Sequence, residues 1–391
     1  MAVAISIAEA MTQASWIRRM FERGTELKAK FGAENVFDLS LGNPFLEPPS
    51  QYFDVLRELS ERRHEGLHRY MANAGFPAVR DAIAKKLNDN GTFPGLTGDG
   101  VIMSVGAGGG LNVALKTILN PGEEVIVLSP HFVEYEFYIR NHGGVPVPVE
   151  TDENFDIDVE TLARGITPKT KGIIVNSPNN PTGRLYPRAS VAAMVSLVRE
   201  REREYGHPIY VLADEPYREL VYVDDVPPSA ASLHDNGLLI YSWSKSLSIP
   251  GERIGYIAIN PRIDDPMVFS SGLTFSTRTL GFVNAPATSQ LAVLRLLDVT
   301  IDIGWYKQRR DRFLEGLRQA GYDVVTPEGT FYIFPRCPIP DDVAFVNRAI
   351  EEKVLLVPGS GFGRKGYFRI SYCVDDATTE GAIAALRRVV A

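Results

Sequence analysis

Cysteine is almost missing from this chain: Cys337 and Cys373 are the two among 391 residues. They stand far apart, so the sequence offers neither a disulfide framework nor a paired metal site, and a reducing compartment is expected. Positive charge is also short. The net charge is −7, with no basic tail and no block of like charge. Nucleic acid and anionic membrane surfaces are therefore not expected as partners. No apolar run reaches the roughly 18 residues that a membrane-spanning helix needs. The opening MAVAISIAEAMTQ has no positive start and carries Glu9, unlike a secretory signal. Histidine is scarce too. His64 and His68 have i, i+4 spacing, but Gly66 intervenes and no third ligand type is near, so no zinc site is expected. These absences leave a soluble, cytoplasmic protein as the expectation, without internal repeats or low-complexity segments.

What is present is a core. Hydrophobic residues make up 45% of a chain long enough for two domains. Residues 15–31 (SWIRRMFERGTELKAKF) read as an amphipathic helix, with Ser15 as cap and Ile17, Met20, Phe21 and Leu27 on its apolar side. FDLSLGNPFLEPP follows as a short strand ending in a Gly-Asn-Pro turn. Then helical patterns alternate with apolar runs rich in β-branched residues: VIMSV, EEVIVLSP, KGIIVNSP, PIYVLADE, LLIYSWS and RIGYIAIN. Runs with so little polar alternation suit strands buried on both faces, as in a mostly parallel sheet between helices. After about Gln290 the texture changes. A long helical region (LAVLRLLDVTIDIGWYKQRRDRFLEGLRQAG) leads to FYIFPR, another helix, VLLVPG and FRISY, which predicts a smaller α+β domain. The expected division is 45–290 for the large domain, and 1–44 with 291–391 for the arm and small domain.

In open α/β sheets, ligands bind beyond the carboxyl ends of the strands. The polar residues at those ends are therefore the candidates. Asn180 follows IIVNSP. Asp214 and Tyr217 close YVLADEPY. Ser242, Ser244 and Lys245 close LLIYSWSK, and Arg253 lies eight residues further on. GAGGG, with Gly106, Ala107 and Gly108, opens a helix after VIMSV. Amide groups there suit an anion, or simply a tight strand-to-helix turn. It is neither a dinucleotide fingerprint, since Leu111 stands where a glycine belongs, nor a P-loop. A lysine amine at a strand end can form a Schiff base with a carbonyl; otherwise Lys245 is an exposed charge in a serine-rich loop. Asp214 needs a partner if buried, either a cation or a helix cap. Strand alternation in FRISY puts Phe368 and Ile370 on one face and Arg369 on the other, as a carboxylate clamp or a rim charge.

Taken together, SLGNP, Tyr70-x-x-x-x-Gly75, PGEEVIVLSPHFVEY, NSPNNPTG, DEPY, SWSKSLSIPGERIGY, VPGSGFG and FRISY, in that order, resemble the class I/II aminotransferases, pyridoxal-phosphate enzymes of fold type I. The resemblance runs from about Asp38 to the C-terminus. It implies a fold type I large domain, with a mostly parallel seven-stranded sheet between helices, plus a smaller α+β domain. It implies that Lys245 forms the Schiff base with pyridoxal phosphate and then moves the substrate proton. Asp214 would pair with the ring nitrogen, Tyr217 and Asn180 would meet the phenolic oxygen, and Phe132 would stack on the ring. Gly106, Ala107, Gly108, Ser242, Ser244 and Arg253 would surround the phosphate. Tyr70 would reach the phosphate of a second subunit in a homodimer. Arg369, Asn180 and Gly42 would hold the substrate α-carboxylate.

The substrate side chain is not implied. Arg278, in GLTFSTRTLGFVNAPATSQ, is a candidate for a distal carboxylate contact, beside the alternative of a surface arginine. The N-terminal helix would either lie over the site or pack against a partner subunit. Transfer of an amino group between an amino acid and a 2-oxo acid, by a ping-pong mechanism, is the leading expectation. A C–S lyase, decarboxylase or synthase on the same scaffold is the second. A non-catalytic effector domain is the third, weakened because nothing like a helix-turn-helix precedes the first motif.

Overall fold

The computed structural model describes residues 3–5, 7, 8, 11, 16–61 and 67–390. Ser15 and His64 lie outside them, as do the side chains of Ile17 and Phe21. Among the described residues twelve strands appear in chain order: β1 Phe37–Asp38, β2 Val101–Ser104, β3 Glu124–Ser129, β4 Val145–Glu150, β5 Thr170–Asn176, β6 Tyr210–Asp214, β7 Gly237–Ser242, β8 Gly255–Ile259, β9 Tyr332–Ile333, β10 Val354–Leu355, β11 Val357–Pro358 and β12 Phe368–Ser371.

Seven strands form the main sheet in the order β2-β8-β7-β6-β5-β3-β4. All neighbours are parallel except at β8, which runs antiparallel to both β7 and β2. Six of these strands are the six apolar runs. The seventh, β4 (VPVPVE), carries prolines at 146 and 148 and is not among those runs. It is accommodated because it lies at the sheet edge, where a missing N–H leaves no bond unmade. Val125, Val127, Ile174, Leu212, Ile240 and Ile257 face one apolar layer, and Ile126, Ile173, Val175, Val211, Leu239 and Ala258 the other. Strand alternation with both faces covered by helices is what a doubly buried sheet requires.

A third apolar cluster lies around two small sheets, the parallel pair β1-β10 and the antiparallel β11-β12-β9. Met20, Leu27, Val36 and Leu39 from the N-terminal part join Phe313, Leu317, Phe345, Phe368 and Ile370 from the C-terminal part. The N-terminal helix Trp16–Phe31 therefore packs on the small body of its own chain. Trp16 sits against Gly361, where an added Cβ would lie 3.2 Å from the indole.

The long helical region expected after 290 is two helices, Ala287–Leu294 and Ile303–Gln319. Asp302 caps the second, its side chain accepting from Trp305 N–H, and this breaks the run. Ala292, Val293 and Leu296 pack with the main sheet, while Ile301 packs with the small body. Among the described residues no helix is long and apolar enough to cross a membrane.

Candidate active site

The carboxyl ends of β5, β6 and β7 open into a cavity of about 370 Å³, within the range of small-molecule sites. The parallel direction of these strands makes the convergence necessary: each run ends at the same sheet edge and delivers its terminal polar residue there. Asn176 ends β5, Asp214 ends β6 and Ser242 ends β7. Asn176 binds the ends together. Its Nδ2 donates to the Asp214 carbonyl at 2.8 Å, and its Oδ1 accepts from Asn180 N–H at 2.7 Å.

Asp214 is 5% exposed. Tyr135 donates its hydroxyl to Oδ2, whereas the buried Oδ1 has no partner. Burial pushes the carboxyl up to about 7, against the pull of the Tyr135 hydrogen bond. A buried carboxylate oxygen without a donor is costly unless a ligand supplies one.

Lys245 lies in the four-residue helix Trp243–Ser246 that follows β7, and its Nζ donates to the Gly42 carbonyl at 2.8 Å. The amine is 5.2 Å from the Phe331 ring centroid and 5.9 Å from that of Tyr217. Loss of water pushes its pKa down to about 8. The lysine is thus close to losing its proton near neutrality, which nucleophilic use of an amine requires.

Ser242 caps that short helix. Its Oγ accepts from Ser244 N–H, and the two hydroxyls lie 2.7 Å apart. Arg253 occupies the left-handed region at φ 49° and its Nη1 donates to Pro250 O at 3.0 Å. Gly106 explains one glycine of GAGGG. At φ 67°, a Cβ there would lie 2.8 Å from Arg253 Nη2, so its absence lets the guanidinium lie against the first helical turn. Ala107 and Gly108 line the cavity beside these groups, as does Phe132, whose ring meets Tyr135 edge-on at 5.6 Å.

Arg369 is 2% exposed and projects into the cavity from β12, opposite Phe368 and Ile370 as the alternation predicts. Its Nη1 donates to Asn180 Oδ1 at 3.0 Å and its Nη2 to Ser40 O at 2.6 Å; Nε has no partner. Tyr332 and Phe362 cover the guanidinium at 4.4 and 4.7 Å. Gly42 must lack a side chain, because a Cβ would meet the Tyr332 hydroxyl at 1.6 Å. Tyr217 Oη is 3.3 Å from Tyr332 Oη.

The expected residues therefore gather at one cavity, except Gly106, which stands just behind its lining, and two residues that lie apart from it. Tyr70 is 92% exposed and lies outside it. Arg278 is exposed on the Pro266–Thr279 helix, 5.2 Å from the Phe275 ring, and does not reach the cavity of its own chain. Among the further cavity residues that escaped sequence reasoning are Tyr135, Glu134 and Tyr332. Tyr135 stands three residues after Phe132, a helical spacing that signals a shared face. Glu134 and Tyr332 carried no such signal. Among the described residues no cluster of His, Cys, Asp or Glu could hold a metal ion.

Comparison with known proteins agrees with the fold. The pattern of the class I and II aminotransferases matches residues 34–386. An aspartate/prephenate aminotransferase of Thermus thermophilus is 34% identical over 360 residues, covering 90% of each chain. An aromatic-amino-acid aminotransferase of Thermococcus litoralis is 29% identical, covering 99% of this chain and 98% of its own. The crystal structure of an aminotransferase from Eubacterium rectale superposes with a TM-score of 0.95 at 37% identity, over 100% of this chain and 98% of that one. With a seven-stranded, mostly parallel sheet, a lysine at the end of β7 and a match across nearly its whole length, the chain belongs to the class I and II aminotransferases.

Proposed function

We propose that this cavity holds pyridoxal 5'-phosphate and that Lys245, Asp214 and Arg369 carry the transfer of an amino group from an L-amino acid to a 2-oxo acid. The observation that carries the reading is the buried, partnerless Oδ1 of Asp214 in the same cavity as the Lys245 amine and the Arg369 fork. The residues present fit the cofactor group by group. Asp214 Oδ1 lacks the donor that a protonated ring nitrogen brings. The Gly106 turn and Arg253 leave room for a phosphate, and Phe132 offers a ring face. When bound, pyridoxal phosphate supplies an aldehyde that condenses with amines and a ring that takes up the electron pair released at the substrate Cα.

The chain's own groups do the rest. Tyr135 fixes one oxygen of Asp214, which would leave the other to hold the ring nitrogen and, by its negative charge, keep that nitrogen protonated. Asn180 commits its Oδ1 to Arg369, which leaves its NH₂ to donate to the phenolic oxygen together with Tyr217. Ser242, Ser244, Arg253 and the amides of Ala107 and Gly108 bind the phosphate. Arg369, aimed by Asn180 and the Ser40 carbonyl, takes the substrate α-carboxylate, with the Gly42 backbone beside it. Lys245, held against the Gly42 carbonyl, would take the proton from the substrate Cα as a neutral amine and hold it for return. A bound substrate displaces water from a cavity this narrow, which strengthens each of these contacts.

The same reading makes the enzyme a homodimer. Tyr70, with nearly its whole side chain exposed, is available to a second subunit's phosphate site, and Met267, Val268 and Phe275 give an exposed apolar face nearby in sequence to Arg278. A distal contact by Arg278 would also be made across that interface.

The test is a half-reaction screen. Cofactor-loaded protein is mixed with single amino acids, and pyridoxamine phosphate and 2-oxo acid are measured. Equal amounts of the two are expected, and Lys245→Ala should abolish them together with covalent fixation of the cofactor by borohydride. Ammonia and pyruvate without pyridoxamine phosphate would replace this reading with β-elimination.

A further inference from the structure

The cavity contains five charged side chains: Lys245, Arg253, Arg369, Asp214 and Glu134. On the function proposed above, four of them are matched by the cofactor and the substrate backbone. Lys245 takes the aldehyde, Arg253 the phosphate, Arg369 the α-carboxylate and Asp214 the ring nitrogen. Glu134 is left over. It begins the helix Glu134–Asn141, is half-buried at the cavity wall, and its buried Oε2 has no hydrogen-bond partner.

A glutamate in a first helical turn has an ordinary explanation, attraction to the helix N-terminus. Its neighbour Glu136 shows what that explanation looks like when complete. Glu136 turns away from the cavity and pairs with Arg140 at 2.9 Å and His131 at 3.3 Å. Glu134 has no ion pair with any described residue, Arg369 included, and it lines the cavity. Burial raises its pKa, while its own backbone N–H and then the Arg369 charge pull in the other direction. A carboxylate with one buried oxygen unpartnered is short of a close cation or side-chain donor.

We propose that Glu134 reads the substrate side chain, and that the enzyme selects amino acids with a distal ammonium or guanidinium group. Tyr138 and Tyr332 line the same cavity and give such a chain apolar and π surface along its methylenes. A dicarboxylic substrate meets the opposite situation. Its second carboxylate would enter a cavity whose three cations are already committed and whose remaining charge is negative.

The experiment compares ornithine, lysine, aspartate and alanine as amino donors in wild type and Glu134→Gln. The expected result is that wild type prefers ornithine or lysine to aspartate. The substitution should lower the ornithine-to-alanine ratio of kcat/KM by about 30-fold or more, and should raise the aspartate-to-alanine ratio. Binding of 2-methylornithine and 2-methylaspartate, which have no Cα proton to lose, is measured by calorimetry as a readout independent of turnover. It should show the same reversal. Wild-type preference for aspartate, or equal changes in the ornithine and alanine values on substitution, would overturn the assignment, the second result making Glu134 a partner of Arg369 only. A half-reaction with alanine but without charge selection refutes this inference alone. No half-reaction with any amino acid refutes the transaminase reading beneath it.

Discussion

Asp214→Asn should make the cofactor-free protein more stable while making the enzyme worse. The folded carboxyl has its pKa raised from 3.8 to about 7, mainly by burial. An acid with a raised folded-state pKa binds its proton more tightly folded than unfolded. Stability is therefore lost as pH rises from about 4 to 7, and the loss is constant above that window. At about 1.4 kcal/mol per pKa unit, the ionised carboxylate costs about 4 kcal/mol at pH 8, the full separation of the two values. At pH 5 the folded carboxyl keeps its proton, and the cost is about 2 kcal/mol. Asparagine has the shape of the neutral acid, still accepts from Tyr135 and carries none of this cost. A chain of 391 residues unfolds with an entropy near 0.8 kcal/mol/K, so the apoprotein Tm should rise by about 5 °C at pH 8 and about 2 °C at pH 5. Thermal scans of apoprotein at both pH values measure this. Adding pyridoxal phosphate should reverse the order, because only the carboxylate gains a charged partner from the ring. Equal melting of the two apoproteins at pH 8, or a gain that is the same at both pH values, would refute the reasoning that Asp214 is a buried charge kept for a ligand.

Gly106→Ala should weaken cofactor binding by about ten-fold, read by absorbance titration, because the new Cβ displaces Arg253 and the φ of 67° opposes any side chain by roughly 1–2 kcal/mol. Arg369→Lys should raise KM for every amino acid by about 10–100-fold, since an ammonium cannot reproduce the fork held by Asn180 and Ser40. Cofactor titration of that variant should match wild type.

How far the sequence reached depended on whether a residue's partner was local. The six buried strands announce themselves because burial on both faces demands unbroken apolar runs. Strand β4 did not, because an edge strand tolerates Pro146 and Pro148. Lys245, Asp214 and Asn180 were legible because a parallel sheet sends every strand end to one edge, so position along the chain predicts position in space. Arg369 was legible as a residue opposite an apolar face, but its partners Ser40 and Asn180 are more than 180 residues away in sequence. Tyr332 and Glu134 stayed hidden for the same reason. Each acquires meaning from neighbours brought by other elements, Gly42 and Arg369 for Tyr332, the cavity itself for Glu134. The break between the Ala287–Leu294 and Ile303–Gln319 helices was hidden by apolar spacing that continues through it, and only the Asp302 cap betrays it.

The short link between β1 and the Ser50–Glu61 helix has a role beyond connection. The Ser40 carbonyl accepts from Arg369 and the Gly42 carbonyl accepts from Lys245, so one strap of backbone holds two cations that reach it from different bodies of the fold. Whatever occupies the arginine or consumes the amine removes a donor from this strap. Its carbonyls must then turn to water or to the ligand, and amide exchange in residues 40–46 becomes a gauge of occupancy, read from a part of the chain that performs no chemistry itself.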